Sequence, residues 1–195
     1  MPTFKRSSSL LRPELWSQWL APFKGAPASG LEIGSWEGAS ALWFIENILT
    51  HSEASLTCID TFQGNSVHQG NYDCSYLESS FRANLAEPLQ SGKARVYVGK
   101  SQEQLRSCWA CGARFAFAYI DGAHEAPAVL EDSVLVWRML QPRGVLFWDD
   151  YEWRSPSSTE IDAPKIAIDA FLHCFARELR VLHVGFQVAV QKSEA

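Results

Sequence analysis

Nothing in this 195-residue sequence approaches the ~20 consecutive apolar residues that a membrane-spanning helix requires. The opening "MPTFKRSSSLLRPELW" carries basic residues but no apolar run long enough for a secretory signal. Both absences lead us to expect a cytoplasmic protein without a membrane partner. Positive charge is also in short supply. The formal net charge is -5 and no long basic run occurs, which argues against a nucleic-acid partner, because phosphate binding needs a basic surface. Cysteine is sparse, odd in number and scattered: Cys58, Cys74, Cys108, Cys111 and Cys174. Free thiols in a reducing compartment are the simplest reading. Cys108 and Cys111 form a CxxC, yet no second ligand pair completes a zinc site and no thioredoxin-like context surrounds them. Both read as structural thiols. A GxGxxG fingerprint is missing too, which disfavours a pyrophosphate cradle and NAD with it.

What is present is a globular composition, with 47% hydrophobic and 20% charged residues. The length fits one domain over residues 1–195, with an N-terminal helical segment over 1–28. Apolar runs then alternate with helical patterns. Strands are expected in "SGLEIGS", "SLTCIDT", "ARVYVG", "RFAFAYID" and "GVLFWDD". Helices are expected in "EGASALWFIENIL", "SYLESSFRANLAEPL", "SQEQLRSCWA", "APAVLEDSVLVWRML" and "APKIAIDAFLHCFAREL". Continuous apolar strands between amphipathic helices imply a parallel sheet covered on both faces. At the end, "LRVLHV" and "FQVAVQK" are separated by little more than Gly185, too short for a parallel crossover, so they form an antiparallel hairpin. The expected fold is α/β and Rossmann-like: a mixed sheet of about seven strands, mostly parallel, with helices on both faces and a C-terminal hairpin.

Two long polar connections, residues 62–74 and 151–164, follow strands at their C-terminal ends. Ligands of open α/β sheets bind along that edge, so both are expected to be active-site loops. The first strand runs into "LEIGSWEGAS", where Gly34 and Gly38 let the backbone approach a ligand, and Trp36 stands where a dinucleotide fold has its second glycine. Glu32 near the strand's end suits a positively charged ligand group better than a phosphate. Asp60 ends the second strand, where an acid takes ribose hydroxyls or caps a turn.

The fourth and fifth strands end in acids: Asp121 in "YIDGAH", and Asp149 with Asp150 in "LFWDDY". Neighbouring strands would bring all three carboxylates together, and they would repel unless protonated or bridged by a cation. Oxygen donors favour a hard divalent ion such as Mg²⁺. Capping is the competing role; it accounts for Asp121 but not for two consecutive acids. His124 lies at the expected N-terminus of the next helix, where the helix dipole favours a neutral ring able to accept a proton. His68 sits in the first long loop with no such company. Trp148 reads as core by strand alternation, whereas Tyr151 and Trp153 suit either stacking on a ligand ring or packing the second loop down.

Taken in order, "EIGSWEGAS", "CIDTFQG", "VGKSQEQL", "YIDGAHEAPAVLEDSVLVW" and "GVLFWDDYEW" resemble class I S-adenosylmethionine (SAM) dependent methyltransferases. The likeness is to the small bacterial O-methyltransferases grouped with metal-dependent natural-product sugar methyltransferases, and more distantly to catechol-type enzymes. It covers about Leu31 to the chain's end. One departure is Arg143 in "LQPRGV", which stands in place of the first glycine of a Pro-Gly-Gly turn away from the ligand edge.

The resemblance implies roles. Glu32, Gly34, Ser35, Gly38 and Ser40 would surround the methionine part of SAM. Asp60 would hold the ribose, and Ser101 and Gln102 would border the adenine. Asp121 would touch both the cofactor and the reacting centre. Asp121, Asp149 and Asp150 match the metal-ligand positions, and His124 matches the general base. The implied activity is methyl transfer to a hydroxyl of a small molecule, a sugar, glycoside or catechol, by a homodimer. The competing functions are an inactive methyltransferase-fold partner protein, a metal-dependent hydrolase using the same acids, and the already weakened NAD-dependent oxidoreductase.

Overall fold

The computed structural model describes residues 2–5, 12–64, 72–154 and 163–194. Its centre is a seven-stranded sheet in the order β3-β2-β1-β4-β5-β7-β6. The parallel strands are β1 (Ser29–Ile33), β2 (Ser55–Asp60), β3 (Ala94–Val98), β4 (Phe115–Ile120) and β5 (Leu140–Trp148). β6 (Leu179–Val184) and β7 (Val188–Lys192) pair with each other antiparallel, and β7 also pairs antiparallel with β5. The expected mixed sheet with its terminal hairpin is therefore present.

Strand periodicity divides the core between the two faces of the sheet. On β4 every residue is buried, as a parallel strand covered on both sides requires. Phe117 and Tyr119 join one layer with Trp16, Trp19, Phe44, Phe81 and Phe147, while Ala118 and Ile120 join the other with Trp137, Trp148 and Phe171. Helices α1 (Pro13–Trp19), α2 (Ala39–Asn47), α3 (Leu77–Asn84) and α4 (Ala86–Ser91) supply the first layer. Helices α5 (Ser101–Ala110), α6 (Ala126–Met139) and α7 (Pro164–Cys174) supply the second. Among the described residues no helix is long and apolar enough to cross a membrane.

Three local differences from the sequence reading have physical causes. The helix expected over Ser75–Leu89 is two helices that meet at Leu85. Pro88 cannot donate to the carbonyl of Asn84 and its ring crowds that carbonyl, so a continuous helix is broken there. β5 begins at Leu140, not Gly144, because Arg143 adopts a φ of +62° and lets "LQPRG" pair irregularly with β4. This turn lies at the start of β5, opposite the strand tips. α7 ends at Cys174, several residues before Leu179; Phe175 stacks on Phe171 and the chain turns into β6. All five cysteines are free, and burial raises the Cys108 thiol above its ordinary value.

Candidate active site

The sheet order changes direction at β1, which has β2 on one side and β4 on the other. Ligands of open α/β sheets bind at the strand C-termini beside such a reversal. A cleft of about 790 Å³ lies there. Gly34 makes it possible for the tips of β1 and β4 to meet: its φ is +84°, and a Cβ would sit 2.0 Å from the Asp121 carbonyl oxygen. Gly38, at φ +87°, starts α2 so closely against Leu85 that a Cβ would lie 2.2 Å from its Cδ1. Trp36 also takes a left-handed φ, +49°, which costs a non-glycine residue about 1–2 kcal/mol.

Asp60 holds that strained turn in place. Its Oδ2 accepts the backbone N–H of Ser35 at 2.7 Å and of Trp36 at 2.8 Å, and its Oδ1 accepts that of Phe62 at 2.7 Å. Burial raises its pKa, and the backbone donors oppose that rise. Glu32 is fully buried behind the turn; its Oε2 accepts the Ser35 hydroxyl at 2.6 Å, while its Oε1 has no hydrogen-bond partner. Burial pushes its pKa up to about 7. A buried, partnerless carboxylate oxygen beside the cleft fits a cationic ligand group.

At β3 the chain passes through Gly99 into α5, and Ser101 and Gln102 form part of the cleft wall. Asp132 of α6 stands behind them, completely buried, with its oxygens accepting Ser101 Oγ at 2.9 Å and Gln102 Nε2 at 3.0 Å. Burial raises it to about 7.

The other half of the cleft is acidic. Tyr119 is buried inside β4, and its hydroxyl lies 2.5 Å from Asp149 Oδ2 and 3.0 Å from Asp121 Oδ2. One phenol proton cannot serve both carboxylates at once, so the pair is short of donors. Burial, with the charges of Asp149 and Asp150, raises Asp121 well above the usual carboxylate range. Gln187 donates to Asp149 Oδ2 at 3.0 Å and in turn accepts Trp16 Nε1 at 2.9 Å. Asp149 Oδ1 accepts the backbone N–H of Asp150, a residue held at φ +59°.

His124 Nε2 lies 2.9 Å from Asp150 Oδ2, while Nδ1 is buried without a partner. Trp153 packs across the imidazole with ring centroids 4.4 Å apart. Donor atoms of Asp121, His124 and Asp150 all lie within 4.8 Å of one another. A cavity of about 10 Å³, the size of a single water or ion, is bordered by Asp121, His124, Asp149 and Asp150.

Comparison with known proteins decides the family. A family model described as a methyltransferase domain matches residues 31–151, more than half the chain. The chain belongs to this family. It is a class I, SAM-dependent methyltransferase. No curated protein matches it. Solved structures do, at the level of the fold. The O-methyltransferase NovP superposes with a TM-score of 0.72 at 19% identity, over 94% of this chain and 80% of that one. TomG from Streptomyces achromogenes, an O-methyltransferase of tomaymycin synthesis solved with SAM, gives 0.69 at 16% identity, over 100% of this chain and 84% of that one. MycE, a mycinamycin-pathway methyltransferase solved with Mg, SAH and mycinamycin VI, gives 0.65 at 16% identity, over 93% of this chain and 49% of that one.

In the methyltransferase, the residues expected around the cofactor divide into two groups. Gly34, Ser35, Ser40 and Asp60 line the cleft, as do Ser101, Gln102 and Asp121. Glu32 and Gly38 stand behind the lining and shape the turn. Among the acids, Asp121 and Asp150 face His124, while Asp149 is tied into the Tyr119–Gln187 network at the back of the same small cavity. Trp148 is core, with Nε1 donating to Ser133. Tyr151 is drawn toward α7 by Asp169 and Lys165, so it packs the loop down, whereas Trp153 lines the cleft. Most of the two expected active-site loops, residues 65–71 and 155–162 with His68, lie outside the described residues.

Sequence reasoning missed several participants. Tyr119 read as one more apolar strand residue. Asp132 was legible in retrospect: with Val129, Ser133 and Val136 it falls at helical spacing on the buried face of α6. Phe4 lines the cleft beside a strap in which Thr3 exchanges hydrogen bonds with Asn84 and the Lys5 N–H donates to Glu37. No local signal marks a contact of that sequence separation.

Proposed function

We propose that the methyltransferase moves a methyl group from SAM to a hydroxyl of a small molecule, a sugar, glycoside or catechol-like ring, with help from a divalent cation, most simply Mg²⁺. The observation that carries this reading is the meeting of the Asp121 and Asp150 carboxylates with the His124 imidazole at the lip of the cleft, with Asp149 behind them on the same small cavity. MycE, solved with Mg and SAH, lends support from a related fold.

Asp121, Asp149 and Asp150 would hold the cation, which would lower the pKa of the acceptor hydroxyl, while SAM supplies an electrophilic methyl. The donors fit a hard ion: they are oxygens, they crowd one another, and burial with mutual repulsion raises Asp121 and Asp149. No cysteine joins the group. His124, whose Nε2 faces Asp150, is the side chain placed to take the acceptor's proton. Trp153 keeps the ring from turning away. Asp60 and the Gly34 turn would fix the cofactor's position in the cleft that Trp153 and Phe4 also line.

The test is transfer from radiolabelled SAM to a panel of glycosides and catechols, with Mg²⁺ and with EDTA. Transfer that stops in EDTA and returns with Mg²⁺ is expected; full transfer in EDTA refutes the cation's role. Calorimetry with S-adenosylhomocysteine separates the competitors. Absence of binding would favour an inactive partner protein, and metal binding without nucleoside binding would favour a hydrolase.

A further inference from the structure

Gln187 is a polar residue where the strand pattern calls for an apolar one. Val188 and Val190 join the second core layer and Ala189 the first. By strand alternation Gln187, one residue before β7, belongs with the first layer, beside Phe147 and Tyr119. It is 2% exposed and lies next to the tip of β5, where Trp148 pairs with Val188. A polar side chain buried there needs partners inside the protein. It has two. Trp16 Nε1 donates to Gln187 Oε1 at 2.9 Å, and Gln187 Nε2 donates to Asp149 Oδ2 at 3.0 Å. The order is forced. An indole N–H only donates, so the amide must turn its oxygen to Trp16 and its nitrogen to Asp149. Trp16 is itself fixed: it is fully buried, with the rings of Trp43, Phe44 and Tyr119 at centroid distances of 5.3, 4.9 and 5.3 Å.

Asp149 depends on Gln187 because its other donor on Oδ2 is contested. The Tyr119 hydroxyl lies 2.5 Å from Asp149 and also 3.0 Å from Asp121. Among the described residues, the Gln187 amide is the donor to Oδ2 that Asp149 does not share with another acid. Together with the Asp150 N–H on Oδ1, it fixes the rotation of the carboxylate. Gln187 and Trp16 border neither the cleft nor the small cavity, so both act from behind.

We infer that Gln187, its amide set by Trp16, is a positioning residue that holds Asp149 in the rotation a divalent cation requires, so that helix α1 governs cation uptake from behind the acidic centre. The inference rests on the cation reading above. Loss of a residue that orients a metal ligand costs about 10- to 100-fold in metal affinity. A merely structural Gln187, stapling α1 to the hairpin, would change stability and leave the metal affinity of the folded protein alone.

The experiment is calorimetric titration of the full chain with Mn²⁺, with S-adenosylhomocysteine present throughout. Gln187→Leu keeps the bulk but removes both hydrogen bonds, and Mn²⁺ binding is expected to weaken about 10- to 100-fold. Trp16→Phe keeps an aromatic ring but frees the amide to turn, and binding should weaken several-fold. Because Trp16 acts through Gln187, adding Trp16→Phe to Gln187→Leu should weaken binding no further. Native Mn²⁺ affinity in a Gln187→Leu variant with a native circular dichroism spectrum overturns the inference, as does an additive further loss in the double variant. If Gln187→Leu does not fold, Trp16→Phe alone decides, and an unchanged affinity there is equally fatal. A native chain that binds no Mn²⁺ instead refutes the cation reading, and this inference falls with it.

Discussion

On the β1–β2 side of the cleft, Asp60 gives its two oxygens to three backbone N–H groups, and Asp132 gives its two to a hydroxyl and an amide. On the β4–β5 side, Asp121 and Asp149 converge on one phenol, with Asp150 beside them and a histidine, Gln187 and the Asp150 N–H for further relief. In the first region Asp60 and Asp132 have a donor for each oxygen, and only Glu32 keeps one oxygen without a partner. The second has more acid than donor and lowers its free energy by holding protons, or by gaining positive charge. The difference teaches that buried acids alone do not mark a cation site. The balance of acids against donors does.

Four predictions test that contrast, from the largest expected effect to the smallest. Asp150→Ala should lower methyl transfer at least about 100-fold while nucleoside binding persists, because His124 and the proposed cation would both lose a partner. Rates and calorimetry on one preparation check this, and parallel loss of both would erase the distinction between the regions.

The second prediction concerns pH. Glu32 has an ordinary value of 4.5 and is held at about 7 in the fold. Below the lower value both folded and unfolded chains carry the proton and no penalty exists. Between the two values the unfolded chain ionises first, so stability falls as pH rises, by about 3 kcal/mol in total. Asp132, also raised to about 7, adds to the same trend. Without metal or SAM, the protein should melt higher at pH 5 than at pH 8, and Glu32→Gln should narrow the gap.

Third, asparagine should act oppositely in the two regions. Asp60→Asn sets an amide against backbone donors and should cost about 2 kcal/mol in denaturant unfolding. Asp121→Asn removes repulsion and should stabilise the metal-free protein by about 1 kcal/mol at pH 8, while abolishing transfer. Matching signs for the two variants would break the comparison. Fourth, Arg143→Gly releases a left-handed residue far from the cleft and should add up to about 1 kcal/mol of stability with unchanged activity.

Much of this was readable before any coordinates. Alternating apolar and helical runs gave the strand order's ingredients, and the short Gly185 connection gave the hairpin. The acids at the strand ends were visible because an abrupt charge after "FAYI" or "LFW" has no place in a core. What escaped depended on partners distant in sequence. Tyr119 is chemically silent until Asp149, 30 residues on, comes within 2.5 Å. Asp149's link to Trp16 through Gln187 spans almost the whole chain. The helix break at Leu85 was legible in Pro88, yet the amphipathic pattern running through it masked the break.

The measurement closest to the central claim needs no acceptor. Mn²⁺ uptake is followed by loss of the free-ion electron paramagnetic resonance signal, in the presence of S-adenosylhomocysteine, for the native chain and for Asp150→Ala. One ion should be taken up per native chain, displaced by excess Mg²⁺, with uptake strongly weakened in the variant. No uptake by the native chain, or equal uptake by both, would contradict it.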